Sequence, residues 1–255
     1  MNTLRQSFTE KKAANHKLAA LTAYDYPMGR LLDGMGLDLI LVGDSLGMVV
    51  LGQPDTTGVT IDQMVHHTAA VGRGVEKTLL VADLSADAAP DANTAVANAK
   101  RLVEAGAKAV KVEGGIEMLP VIRAILDEKI PVLGHLGMLP QRVKEEGGYR
   151  IKGKTEDQAS QLLKDAEVLA LAGVFGIVLE LVTPPVAEML SRAIPVPTIG
   201  IGSGEGCDGQ ILVTYDLLGM FPWFTPKFVK PKVNVASQIE AAVKEFIDEA
   251  RKPNP

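Results

Sequence analysis

Along most of the chain, short apolar runs rich in Val, Ile and Leu alternate with longer segments of helical period. The runs Leu18–Ala23, Leu37–Val42, Leu79–Ala82, Ala109–Val112, Pro131–Gly134, Ile177–Leu179, Thr198–Ile201 and Ile211–Leu218 predict eight strands. Between and after them, helices are predicted over 27–35, 60–74, 92–105, 118–128, 155–172, 185–193 and 235–251. Thr60 with Gln63 three residues on reads as a capping box, and Gly106 and Gly173 close their helices. The runs are continuously apolar, as befits parallel strands buried on both faces. Eight such units fit one (β/α)₈ barrel spanning 1–255 with a C-terminal helix. A doubly wound sheet is the alternative. The Gly-x-Gly-x-Gly at Gly200, Gly202 and Gly204 falls too late in the chain for a dinucleotide fingerprint.

Polar residues interrupt the apolar runs at their C-terminal ends. Asp25 follows the first run, Asp44 and Ser45 the second, Asp83 the third and His135 the fifth; Lys111 and Glu113 lie in and after the fourth, and Glu180 follows the sixth. In a barrel all carboxyl ends meet on one face, where active sites lie. Each residue also has a plainer reading. Asp25 could be no more than the N-cap of the helix that starts at Tyr26-Pro27, and Asp83 could cap a turn. That reading is weaker for Asp44, which has no helix start directly behind it. Lys111 and Glu113 share one side of their strand and could be a buried ion pair. His135 could be a core histidine satisfied by backbone. Glu180 could partner a distant cation, although a carboxylate flanked by Val178, Leu179, Leu181 and Val182 suits a general base. Asp44, Asp83 and Glu113 together suggest a cation, and hard oxygen ligands favour Mg²⁺ over Zn²⁺. His66 and His67 are adjacent on a helix and point about 100° apart, which suits surface or packing roles better than a metal pair. The long irregular stretch Leu136–Lys154 is either a binding loop or a surface excursion.

Composition narrows the function classes. Of 255 residues, 47% are hydrophobic and 25 are Gly, while aromatics make up 4%, a bias that fits α/β turns. The net charge of −5 argues against a nucleic-acid binder, so an anionic substrate needs locally placed Lys, Arg or metal. Cys207 is the single cysteine, which excludes an intramolecular disulfide and points to a reducing cytoplasm. Residues 1–16 are polar and lack the apolar stretch of a secretory signal, and no long apolar run spans a membrane. Small-molecule substrates are the expected partners.

Six ordered motifs carry a resemblance. They are Gly43-Asp44-Ser45-Leu46-Gly47-Met48, Val110-Lys111-Val112-Glu113-Gly114-Gly115, Gly134-His135-Leu136-Gly137, Gly147-Gly148-Tyr149, Gly200-Ile201-Gly202-Ser203-Gly204 and Asp208-Gly209-Gln210-Ile211-Leu212-Val213. Over about Leu18 to Lys230 the chain resembles the ketopantoate hydroxymethyltransferase family. The resemblance implies a TIM barrel of the phosphoenolpyruvate/pyruvate superfamily. It implies transfer of a one-carbon unit from 5,10-methylenetetrahydrofolate to 3-methyl-2-oxobutanoate, giving 2-dehydropantoate for pantothenate biosynthesis. It further implies that Asp44 and Asp83 hold one Mg²⁺ per subunit with Glu113 nearby. Asp44, Ser45, Asp83, Lys111 and His135 would contact the oxo acid, Glu180 would accept the proton, and the assembly would be a homodecamer of two pentameric rings. Two positions depart from the family pattern: Leu84-Ser85-Ala86-Asp87 stands where Leu/Met-Pro-Phe is usual, and Ser203 where Ala is common, a change expected to be minor. The residues alone leave open whether a C–C bond is made or broken. A C–C lyase and a non-catalytic metabolite-binding barrel are the rivals.

Overall fold

The structure, a computed structural model, describes residues 3–252. The chain divides into two units, Met1–Ile211 and Leu212–Pro255.

The first unit opens with α1 (Thr3–Ala13) and then alternates strands and helices. β1 (Leu18–Thr22) leads to α2 (Tyr26–Leu32), and β2 (Leu39–Val42) to the short α3 (Leu46–Val49) and to α4 (Ile61–Gly72). β3 (Leu79–Asp83), α5 (Ala92–Glu104), β4 (Ala109–Glu113), α6 (Leu119–Asp127) and β5 (Val132–Gly137) follow. Then come α7 (Glu156–Ala172), β6 (Gly176–Glu180), α8 (Pro184–Ala193), β7 (Thr198–Ile201) and β8 (Gly209–Leu212). All recorded pairings are parallel, and the eight strands close in sequence order into a barrel, as the run pattern predicts.

Helix starts follow local chemistry. Thr60 accepts from the Gln63 amide while the Gln63 side chain accepts from the Thr60 amide, the capping box expected at α4. Asp91 caps α5 and Thr155 caps α7 in the same way, by accepting a backbone N–H three residues on. Gly173 ends α7 with φ 114°, a conformation that would strain any other residue.

The lower barrel is filled by Leu18, Ala20, Leu39, Leu41, Val81, Ala109, Leu133, Val178, Ile199 and Ile211. Phe8 of α1 joins this core and meets Phe175 edge-on, ring centroids 5.0 Å apart. The N-terminal segment, read in the sequence only as polar, therefore carries an apolar plug. It contacts strand starts, so it closes the amino end and leaves the carboxyl end for polar side chains.

The second unit corrects one expectation. The apolar run Ile211–Leu218 was expected to be one strand, but the strand stops at Leu212, and Thr214–Leu218 forms the short helix α9. An apolar run has no period that separates a strand from a buried helical turn. Gly219 ends α9 at φ 61°, and Lys232 N donates to Leu217 O at 2.8 Å ahead of α10 (Val235–Ala250). None of the described helices is long and apolar enough to cross a membrane.

Candidate active site at the carboxyl ends of the strands

Side-chain alternation turns the same faces of β3, β4, β5 and β6 inward along their whole length. Val81, Ala109, Leu133 and Val178 therefore lie in the core, with Asp83, Lys111, His135 and Glu180 two residues further on. Parallel register sets Asp83 beside Lys111, Glu113 beside His135, and Gly137 beside Glu180. The apolar filling of the barrel thus gives way at the carboxyl end to a layer of charge. Asp44, Asp83, Lys111, Glu113 and His135 are all buried, while Glu180 keeps 16% of its side-chain surface exposed.

These groups touch one another. Lys111 Nζ lies 2.6 Å from Asp83 Oδ1 and 3.6 Å from Glu113 Oε1. His135 Nδ1 lies 3.1 Å from Glu113 Oε1, and Nε2 lies 3.3 Å from Glu180 Oε2. The Asp44 backbone N–H donates to Asp83 Oδ2 at 3.0 Å. Asp83 Oδ1 and Glu113 Oε1 are buried at ion-pair distance from cations but accept no aligned hydrogen bond.

Burial and neighbours set the protonation. Asp44 is pushed well above the usual carboxylate range, first by burial and then by the Asp83 and Glu113 carboxylates. Asp83 is also raised, because burial outweighs the opposing charge of Lys111. Burial disfavours the charged form of Lys111, yet Asp83, Glu113 and Asp44 together hold its ammonium protonated beyond the ordinary range. Burial likewise opposes the His135 imidazolium, but the Glu113 and Glu180 carboxylates beside its ring push its pKa up to about 9. Glu113 is lowered despite burial, by His135 and Lys111.

The remaining predicted positions sort cleanly. Asp25 is the N-cap of α2, its carboxylate accepting the Met28 N–H at 2.8 Å. Asp44 does have a helix behind it, α3, but Ser45 occupies the cap position and makes no capping bond. Instead the Ser45 hydroxyl shares a 2.8 Å hydrogen bond with the buried Tyr24 hydroxyl, and His67 Nδ1 meets the Tyr24 carbonyl at 2.6 Å. Gly43 permits this packing: a Cβ there would lie 3.0 Å from Ser45 Oγ and 3.5 Å from Asp83 Oδ2. His66 is exposed and His67 half-buried, in line with packing roles. His135, expected to contact substrate, has both ring nitrogens turned to carboxylates.

Glu180 does not sit in the apolar isolation that its sequence neighbours imply. Its side chain shares the inward face with His135, and Leu179 and Leu181 do not. The next residue, Leu181, has φ 48°, a left-handed conformation costly for a branched side chain. Flanking bonds hold it there: Leu181 N donates to Ile201 O at 2.9 Å, and Ser203 Oγ accepts from Val182 N at 3.0 Å while donating to Leu179 O at 2.7 Å. Gly137 closes tightly on the same turn, for its Cβ would lie 2.3 Å from Glu180 O.

The stretch after β5 is tied down over the site rather than loose. Lys144 Nζ donates to Thr57 Oγ1 at 2.6 Å and lies 3.5 Å from Asp55 Oδ2, and Tyr149 OH donates to Met48 Sδ at 3.7 Å. Within it, Gln141 reaches three strand ends. Its Nε2 donates to Asp44 Oδ2 and to Leu84 O, both at 2.8 Å, and its backbone N–H donates to Glu113 Oε2 at 3.2 Å. Sequence reasoning missed Gln141 and Tyr24, and took Ser203 for a minor change. Tyr24 directly follows the run Leu18–Ala23, and nothing in the spacing links its hydroxyl to Ser45, twenty-one positions on. Gln141 sits six positions after His135 in an irregular stretch, where no period or strand end marks it.

Among the described residues, no three His, Cys, Asp or Glu side chains form a ready-made metal cage. Mg²⁺ does not need one, because it is typically bound through one or two carboxylates with water and substrate oxygens filling the octahedron. Asp44 and Asp83 fit that requirement. Both are buried, and burial together with the Asp83 and Glu113 charges raises Asp44, a penalty that an added cation would offset; Asp83 Oδ1 also pairs with Lys111 at 2.6 Å. Glu113 is already engaged by His135, Lys111 and the Gln141 amide.

Comparison with known proteins agrees with the fold. Structures similar to this chain include a phosphoenolpyruvate phosphomutase from Streptomyces platensis (TM-score 0.65, 15% identity, covering 96% of this chain and 92% of that one). Another is 2,3-dimethylmalate lyase, a PEP mutase/isocitrate lyase superfamily member (TM-score 0.65, 17% identity, covering 100% and 91%). At that identity the likeness is one of fold. Two relatives named 3-methyl-2-oxobutanoate hydroxymethyltransferase are far nearer in sequence. The one from Acetivibrio thermocellus is 51% identical over 96% of this chain and 87% of its own length. That from Enterococcus faecalis is 46% identical over 98% and 92%. The family model described as ketopantoate hydroxymethyltransferase matches residues 2–254. By whole-length match and by the order of its strand-end motifs, the chain belongs to the ketopantoate hydroxymethyltransferase family.

Proposed function

We propose that this chain transfers a hydroxymethyl group from 5,10-methylenetetrahydrofolate to 3-methyl-2-oxobutanoate, forming 2-dehydropantoate with the help of one Mg²⁺ per subunit. The observation that carries the reading is the meeting of Asp44, Asp83, Lys111, Glu113, His135 and Glu180 at one barrel mouth in a chain of this family. Asp44 and Asp83 would hold the metal, with Glu113 at its edge. When bound, Mg²⁺ supplies Lewis-acid stabilisation of the negative charge that develops on the keto oxygen.

The protein's own groups do the rest. Ser45, Asp44, Asp83 and Lys111 line the place for the oxo acid's carboxylate and keto group. Lys111 keeps its proton and sets a fixed positive charge beside those oxygens, so no solvent has to reorganise as charge builds. Glu180 takes the proton from C3, the carbon next to the ketone. The freed electron pair forms the new C–C bond to the donor's methylene carbon, whose two C–N bonds break to release tetrahydrofolate; one water supplies the hydroxyl group, and its other proton and the proton taken from C3 end on the two folate nitrogens. His135 bears on the reaction by orienting Glu180 from one side and Glu113 from the other. Family membership also supports a cytoplasmic homodecamer of two pentameric rings.

The test is product formation. Purified protein with the oxo acid, Mg²⁺ and methylenetetrahydrofolate should yield 2-dehydropantoate, and EDTA should stop it. Full activity after EDTA treatment would overturn the metal role. Product formation without folate, or C–C cleavage of a larger oxo acid in its place, would overturn the transferase reading.

A further inference from the structure

Gln141, in the stretch after β5, bonds to groups beyond β2 and β3 and at the end of β4. Its amide nitrogen is shared between the Asp44 carboxylate and the Leu84 carbonyl, each at 2.8 Å, and its own N–H reaches Glu113 at 3.2 Å. One side chain and one backbone group thus fix Asp44 beyond β2, Leu84 beyond β3 and Glu113 at the end of β4. Asp44 Oδ2 takes this bond, so the other carboxylate oxygen is not the one Gln141 holds. A neutral amide suits that task. It orients a carboxylate without cancelling its charge, whereas a second Lys or Arg would compete with a metal for it. Lys111 already supplies the fixed positive charge, on the Asp83 side of the cluster. The contact to Leu84 adds a further consequence, because Leu84 opens the Leu84-Ser85-Ala86-Asp87 loop. That loop lacks the Pro-Phe usual in the family. Gln141 is the side chain that ties its first carbonyl to the site, and Ser85 bonds onward to Asp87 at 3.0 Å.

We infer that Gln141 is a positioning residue that presents Asp44 to a divalent cation and locks the β3 loop behind it. The inference rests on the metal reading proposed above. Residues that orient metal ligands typically change metal affinity by about 10- to 100-fold when replaced.

The probe is Mn²⁺, a spectroscopic stand-in for Mg²⁺, titrated into the purified protein and followed by electron paramagnetic resonance with no substrate present. Gln141→Met keeps the side-chain length and the backbone N–H but removes both amide donors, and it should bind Mn²⁺ about 10- to 100-fold more weakly. Gln141→Asn keeps the chemistry on a shorter arm and should fall between the two; it also serves if the Met variant fails to fold. In activity assays the loss should appear as a raised Mg²⁺ requirement and shrink as Mg²⁺ approaches saturation, a split that mere loosening of the fold would not give. Gln6→Met, which loses an exposed amide contact to Glu10, should leave the Mn²⁺ titration unchanged. Unaltered Mn²⁺ affinity in the folded Gln141 variants overturns this inference and leaves the proposed function standing. No Mn²⁺ binding by the unsubstituted protein overturns the metal reading and this inference with it.

Discussion

The two ends of the barrel use charge in opposite ways. At the amino end, charged side chains are shared between backbone groups and ion pairs such as Lys11–Asp38 at 2.6 Å and Lys12–Asp208 at 3.0 Å. Asp38 accepts the Ala19 N–H at 2.8 Å, and Asp33 accepts the N–H groups of Glu76, Lys77 and Thr78 ahead of β3. Lys12 donates to the carbonyls of Ser191, Ile194 and Val196 where α8 ends. Their hydrogen-bonding capacity goes into closing loops. At the carboxyl end, charged side chains face chiefly one another, buried, with carboxylates outnumbering cations: Asp44, Asp83, Glu113 and Glu180 against Lys111 and His135. A folded chain gains little stability from such an arrangement, since burying ion pairs is at best neutral against apolar packing. Its presence at one end only, on a barrel whose other end is sealed by Phe8, marks that end as the working one.

The largest effect should come from Glu180→Gln. General-base catalysis contributes roughly 100- to 10,000-fold, so deuterium exchange at C3 of the oxo acid should fall by that order, while Mg²⁺-dependent binding of the oxo acid persists. Exchange at the unsubstituted rate would remove Glu180 from its role. Lys111→Met comes next and concerns stability as well as rate. Removing one partner of a buried ion pair costs about 3–5 kcal/mol, and here it leaves Asp44, Asp83 and Glu113 facing each other. The melting temperature should drop steeply without metal and recover more on adding Mg²⁺ than it does in the unsubstituted protein. Equal recovery in both would mean that the three carboxylates do not share one cation.

The amino end should answer differently. Lys12→Met removes donors from three carbonyls and the 3.0 Å ion pair to Asp208. A loss of about 1–3 kcal/mol is expected for the groups left unsatisfied, with kcat/KM unchanged in the folded fraction. Lost activity without lost stability would break the contrast between the two ends. Acid titration sharpens it. Burial alone would raise Asp33, but the N–H groups of Thr78, Glu76 and Lys77 outweigh it and hold its pKa at about 2, below the ordinary aspartate range. A carboxylate depressed in the folded state stabilises above its unfolded pKa and ceases to as pH falls through the folded one. Between about pH 4 and 2, therefore, urea denaturation should show stability falling less steeply for Asp33→Asn than for the unsubstituted chain.

How much of this was legible in the sequence differs between the ends for the same reason. Strand order and the inward polar residues are periodic features, and Asp83, Lys111, Glu113, His135 and Glu180 fall at strand ends where an apolar run meets a charge. Residues that act through irregular backbone carry no such mark. Gln141 and Ser203 reach their partners only because loops fold back over the barrel mouth, and Phe8 is a lone aromatic in a polar segment. The run Ile211–Leu218 misled because a buried strand and a buried helical turn share one composition. Asp25 had two readings that only geometry could separate, and its bond to Met28 N makes it a cap.

Ser203 gives the smallest effect and the finest test of the comparison. From its place in the sequence it counted as a minor change, yet it is fully buried and bonds to both sides of the strained turn that carries Glu180. Ser203→Ala would leave the Val182 N–H without its hydroxyl acceptor and the Leu179 carbonyl without that donor, at a cost of about 1 kcal/mol. If the hydroxyl merely fills space, stability should fall and kcat should not. If it helps hold Leu181 at φ 48°, Glu180 loses some of its aim, and kcat should fall several-fold with little change in KM. Ser203→Thr, which keeps the hydroxyl, should regain part of that loss. We expect the second pattern, because the two bonds bracket Glu180 and Leu181 and secure the turn from both sides.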